Sequence, residues 1–153
     1  MELIIISGRS GSGKSVALRV VEDLGYYCVD NIPLNLLPSL VRSVSDSYNK
    51  IAVSVDVRNL PKEQQQFNEI IEYLPGFTKP TVFYLDSEDQ TLIKRFSETR
   101  RLHPLSIDSL PLDLAIKKEK QLLDVLINRA DYMIDTTDLS VHQLAESIRE
   151  KIL

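Results

Sequence analysis

The 153-residue chain is 43% hydrophobic and 26% charged, and 18 basic against 22 acidic side chains leave a net charge of -4. That balance describes one ordinary folded domain; it excludes a disordered or collagen-like chain and argues against a broad nucleic-acid-binding surface. The longest apolar run, Leu3-Ile4-Ile5-Ile6, is far too short to span a bilayer and lacks the basic flank of a signal peptide. A lone cysteine, Cys28, excludes an internal disulfide, and with two distant histidines no zinc-type cluster can form. The expectation is a cytoplasmic domain, free of membrane, with Cys28 as a buried, reduced thiol.

In chain order, strands are predicted at 2–7, 26–30, 51–57, 81–86 and 131–135, all mostly apolar, as strands buried on both faces must be. Between them, apolar residues recur every three or four positions and predict helices at 14–24, 34–47 with Pro33 as a first-turn residue, 61–73, 88–99 and 112–129. A last helix carries Val141, Leu144, Ala145, Ile148 and Ile152 on one face. The alternation means a parallel sheet covered by helices. Residues 100–111, RRLHPLSIDSLP, have two prolines and no period and read as an exposed loop. Lys117, Lys118 and Lys120, interrupted by Glu119, read as a solvated helix face. The terminal helix reaches Leu153 without a cap, which predicts that residues 1–153 are a single domain forming part of a longer protein.

One motif carries chemistry. Gly8-Arg9-Ser10-Gly11-Ser12-Gly13-Lys14-Ser15 matches G-x-x-x-x-G-K-[ST] in full, directly after an apolar strand and directly before an amphipathic helix. Glycines let the backbone bend so that successive N–H groups point at phosphate oxygens, and the helix adds unpaired N–H groups and the positive end of its dipole. Lys14 is expected to reach the β- and γ-phosphates, and the Ser15 hydroxyl to complete a Mg²⁺ shell. In P-loop folds the third strand lies beside the first, which puts the five strands in the order 2-3-1-4-5 of a P-loop NTPase or kinase-like three-layer sandwich.

A metal-bound triphosphate also needs an acid at the end of a neighbouring strand. Asp56 is the expected metal-side carboxylate and, with Lys14, the expected catalytic pair; Asp86 is the alternative, or a helix cap. Asp30 either orients a substrate hydroxyl or opens an Asx turn. Arg95, Arg100 and Arg101 are candidates for a lid that closes on the phosphates. Thr136 and Thr137, after the last strand, are candidates for a base contact, with helix capping as the other use of Thr137. ATP and GTP are both admissible, because no guanine-reading N-K-x-D quartet is present.

Together with the P-loop, the runs Tyr27-Cys28-Val29-Asp30-Asn31-Ile32-Pro33, Asp56-Val57-Arg58-Asn59 and Thr99-Arg100-Arg101-Leu102-His103-Pro104-Leu105 occur in this order. On these residues the chain closely resembles, over essentially its whole length, the RapZ (YvcJ-type) family of nucleotide-binding RNase adapters. The resemblance implies ATP and GTP binding, with ATP on Gly8 to Ser15 and a second nucleotide contact on Asp56, Val57, Arg58 and Asn59. It further implies a homo-oligomer whose own C-terminal domain, beyond residue 153, binds RNA. In enterobacterial members it implies an adapter that presents a small regulatory RNA to an endoribonuclease and so controls amino-sugar (glucosamine-6-phosphate) synthesis. Two function classes follow: a regulatory nucleotide-binding module with at most weak NTP hydrolysis, or a small-molecule kinase passing the γ-phosphoryl of ATP to a metabolite.

Overall fold

A computed structural model of the chain describes residues 1–99, 101–106 and 109–152. In order, the elements are β1 (Glu2–Gly8), α1 (Lys14–Asp23), β2 (Tyr27–Val29), a 3₁₀ turn (Leu34–Leu36) running into α2 (Leu37–Val44), β3 (Lys50–Ser54) and a 3₁₀ turn (Val57–Asn59). Then follow α3 (Gln64–Glu72), β4 (Lys79–Asp86), α4 (Asp89–Thr99), a 3₁₀ turn (Pro104–Ser106), α5 (Leu112–Leu122), α6 (Asp124–Ile127), β5 (Tyr132–Asp135) and α7 (Val141–Ile152). All strand pairs are parallel, in the order β2-β3-β1-β4-β5, as expected from sequence.

The alternation of side chains along β1 divides the core in two. Leu3 and Ile5 face a layer built on α2, α3 and α6, with Leu37, Val41, Phe67 and Leu126 buried there. Ile4 and Ile6 face α1 and α7, with Ala17, Val21, Leu144 and Ile148. Each fully buried Ile or Leu of this kind contributes about 2 kcal/mol of transfer free energy. A third, small cluster of Leu92, Phe96 and Ile116 joins α4 to α5. Because every strand runs the same way, Gly8, Asp30, Ser54, Asp86 and Asp135 collect along one edge of the sheet, where open α/β folds place their ligands.

Several boundaries differ from the sequence reading for local reasons. The α-helix within 34–47 starts at Leu37, because Pro38 has no N–H and fits only a first turn; Pro33 instead precedes the 3₁₀ turn. Strand 51–57 ends at Ser54, because the Asp56 carboxylate accepts the Arg58 N–H at 2.7 Å and opens a turn. The 112–129 helix breaks at the buried Leu123. Cys28 is partly buried, with its thiol pushed up to about 11 by burial. The expected exposed loop at 100–111 is corrected most sharply: His103 is buried, and Pro104–Ser106 form a turn packed on α5.

Candidate functional site

The strand-to-helix bend at residues 8–15 depends on backbone that other residues cannot supply. Gly8 has φ +142°, and a Cβ there would lie 2.1 Å from the Leu85 carbonyl oxygen. Gly13 has φ +107° and precedes α1 with no side-chain cap, so the opening amides of the helix are left for an anion. Above them is a cleft of about 420 Å³. One wall is the bend itself, through Ser10, Gly11, Gly13, Lys14, Ser15 and Val16. The floor is Asp30, Asn31, Ser54 and Asp56 from the ends of β2 and β3; Arg101, Leu102 and Pro104 form the far wall, and Phe96 completes the lining directly against Gly11.

Lys14 folds over the bend and donates to the Gly8 carbonyl at 3.0 Å. Burial lowers its ammonium below the usual lysine range, partly offset by the carboxylates of Glu119, Asp56 and Asp30. Asp56 is clamped by Arg58, whose Nη2 lies 2.6 Å from Oδ2. Burial opposes its ionisation, but the Arg58 hydrogen bonds and charge outweigh burial and hold the carboxyl below its ordinary range. Asp30 accepts the Ser54 hydroxyl, while Asn31, at φ 53°, accepts the Asp56 N–H and the Asn59 amide and so ties the ends of β2 and β3 together. No Asx turn forms at Asp30-Asn31: the Ile32 N–H goes to the Ser54 carbonyl at 3.1 Å, and the Asp30 carboxylate lines the cleft.

The run Asp56-Val57-Arg58-Asn59 does not face one place. Asp56 lines the cleft and Val57 is core, whereas Arg58 and Asn59 line a separate cavity of about 460 Å³ with Pro33, Asn35, Gln66 and Tyr73. Arg9, though inside the motif, turns its side chain away from the cleft. It is 1% exposed and donates to the carbonyls of Ser87 and Ile116, both at 3.0 Å, with Asp89 at 2.6 Å. Asp86 receives the Ser87 N–H and lies 3.7 Å from Arg9, so its carboxylate serves the β4–α4 corner.

Arg95 likewise braces the bend, donating to the carbonyls of Gly11 and Thr136, both at 2.8 Å. The Thr136 hydroxyl donates to the Ser12 carbonyl at 2.7 Å. Both residues border a smaller cavity of about 220 Å³ with Gly13, Leu139 and Leu144. Thr137 is outside it and bonds Asp135 and the Glu88 N–H. Arg101 stands on the far wall of the main cleft, and Arg100 lies outside the described residues.

Sequence reasoning missed Glu119. It is fully buried, and its carboxylate accepts the Ser10 N–H at 2.7 Å and the Ser10 hydroxyl at 2.5 Å, with His103 Nε2 at 3.4 Å. The lysines flanking it are solvated, as expected; Glu119 is not. The signal was an acid four residues after Ala115 and three after Ile116, on the apolar stripe of α5.

The family model described as the RapZ-like N-terminal domain matches residues 1–153. Over all 153 residues the chain is 87% identical to a nucleotide-binding protein of Pseudoalteromonas translucida and 53% identical to the RNase adapter protein RapZ of Salmonella paratyphi B. It covers 54% of each, so it spans about half the length of these relatives. Among solved structures, a sugar kinase from Janibacter aligns with a TM-score of 0.68 at 16% identity, covering 100% of this chain and 92% of that one. At that identity the likeness speaks for the fold alone, a P-loop kinase-like sandwich.

Proposed function

Because this chain belongs to the RapZ-like N-terminal domain family, we propose that it is the nucleotide-binding module of an RNase-adapter-type protein, taking ATP or GTP with Mg²⁺ in the cleft over residues 8–15. The observation that carries this reading is the bend itself: a glycine-dependent turn, an uncapped helix start and Lys14 converge on one space. The amides of Gly11, Gly13, Lys14 and Ser15 bind the phosphates, Lys14 leaves the Gly8 carbonyl to meet the β- and γ-oxygens, and Arg101 approaches from the other side of the cleft; the Ser12 N–H stays on the Arg9 carbonyl. The base lies toward Arg95 and Thr136. Thr137 is spent on Asp135 and the Glu88 N–H, and the helix cap expected of it falls to Ser140, which accepts the Gln143 N–H.

The donor set suits magnesium, which keeps several waters and takes few protein ligands. Bound Mg²⁺ would neutralise phosphate charge; the exposed Ser15 hydroxyl would ligate it. Asp56, with both oxygens on Arg58, and Asp30, with one bond from Ser54, would hold its waters. Arg58 and Asn59 offer any second nucleotide a different cavity from the one Asp56 lines. In the intact cytoplasmic, homo-oligomeric protein, occupancy of this cleft biases the protein's own C-terminal domain. The C-terminal domain binds a small regulatory RNA and presents it to an endoribonuclease, controlling glucosamine-6-phosphate synthesis. Hydrolysis by Lys14 and Asp56 is slow.

One observation supports a second reading: Asp30 stands in the cleft as a carboxylate able to orient an acceptor hydroxyl, as a small-molecule kinase requires. Calorimetry with ATP and GTP, with and without Mg²⁺, tests the first reading, and absence of binding overturns it. Phosphate release in the presence of cell metabolites separates the two. A slow, metabolite-independent rate supports the regulatory module, and stimulation with a phosphorylated product supports the kinase.

A further inference from the structure

The cleft has two walls far apart in sequence, and one buried carboxylate touches the support of both. Glu119 receives the Ser10 amide and hydroxyl from the bend, and it faces the ring nitrogen of His103, one residue beyond Leu102 and Arg101 on the opposite wall. His103 Nδ1 accepts the Leu105 N–H at 3.0 Å, so the ring's remaining hydrogen is on Nε2, the atom aimed at Glu119. The ring also packs on Phe96, which lines the cleft against Gly11, with centroids 5.1 Å apart. Both the Ser10 N–H and His103 Nε2 converge on the same Glu119 oxygen, Oε1.

A buried carboxylate is tolerated only with polar groups to spend its charge on, and here Ser10 supplies two hydrogen bonds while His103, from a segment distant in sequence, brings its Nε2 to 3.4 Å. We propose that Glu119 is a positioning residue for the nucleotide site. Through Ser10 it fixes the first bend of the phosphate loop, and through His103 it fixes the 101–106 segment against that bend, so that one group sets the separation of the two walls. Glu119 does not line the cleft and touches no phosphate. It lowers the ordering that a bound nucleotide must otherwise impose on loop and strap.

This inference rests on the nucleotide reading above, and the test separates the two. ATP binding and ATP dissociation are measured on the intact protein and on Glu119→Ala, Glu119→Gln, His103→Ala and the Glu119→Ala/His103→Ala pair. Glu119→Ala, which deletes charge-assisted bonds from Ser10, weakens ATP by about tenfold or more. His103→Ala speeds ATP dissociation severalfold with association nearly unchanged, because the strap loosens while the loop stays set. The double variant binds within about twofold of Glu119→Ala, as residues of one unit do. Glu119→Gln keeps Oε1 as the shared acceptor and binds within about threefold of wild type.

Wild-type affinity in a folded Glu119→Ala overturns the proposal, as does independent, multiplying loss in the double variant. A Glu119→Gln as weak as Glu119→Ala overturns it in favour of a role for the charge alone. Should Glu119→Ala fail to fold, His103→Ala decides: faster dissociation supports the proposal and an unchanged rate sinks it. If wild type itself ignores ATP, the nucleotide reading fails first.

Discussion

Residues 8–15 and the segment 101–104, with α5 behind it, are built around one site by opposite physical means. The bend at 8–15 is a local object: glycines at φ values closed to other residues, a helix start without a cap, and a lysine six residues from the carbonyl it grips. The 101–122 region works at long range. Its contributions are a buried histidine from an apparently polar loop and a buried acid from a lysine-rich helix, neither of which has meaning until the loop at Ser10 arrives against them. Local chemistry announces itself as a motif, whereas chemistry made by tertiary contact does not.

The sharpest way to break the bend is Gly8→Ala. A methyl 2.1 Å from the Leu85 oxygen forces β1 from β4, and destabilisation of about 4 kcal/mol or more is expected in denaturant unfolding. Gly25→Ala is the control. Nothing lies within 4 Å of its Cβ, so its positive φ alone should cost about 1 kcal/mol.

Lys14→Ala should separate function from fold. ATP affinity in calorimetry falls by about 100-fold, the worth of roughly two charge-assisted contacts, while thermal unfolding changes little, because the ammonium is held against a desolvation penalty.

On the other side of the comparison, Arg9→Ala removes a buried cation from Asp89 and two carbonyls. It is expected to cost about 3 kcal/mol in denaturant unfolding, since the carbonyls lose a buried partner.

The acid limb of stability distinguishes the regions further. Burial raises the Glu119 carboxyl, but the His103 ring nitrogen 3.4 Å away, the Lys14 charge and the Ser10 hydroxyl outweigh it and hold it below the ordinary range. A depressed carboxyl stabilises the fold above its unfolded value, about 4.3, and that stability is lost as pH falls through the folded value. Glu119→Gln, with nothing to protonate, should therefore lose stability less steeply below about pH 4.3 in urea titrations at stepped pH. The smallest effect is expected at the floor of the cleft. Asp56→Asn should weaken the Mg²⁺ dependence of ATP binding more than Asp86→Asn does, and the reverse ranking would move the metal-side carboxylate to the Arg9 corner.

The sequence alone determined the sheet, its order and the P-loop, because hydrophobic period and glycine-lysine spacing act over a few neighbouring residues and leave their imprint in the order of the chain. It also singled out Lys14 and Ser15, because the motif names both, and both line the cleft. Only the tertiary structure decided that Arg9 and Arg95 brace the bend, that Asp56 and Arg58 face different cavities, and that Glu119 with His103 supports both walls. Those assignments depend on which groups lose water together when α4, α5 and the loop close on one another. Burial is a property of that packing, and a charged residue reads the same in sequence whether water or Ser10 meets it.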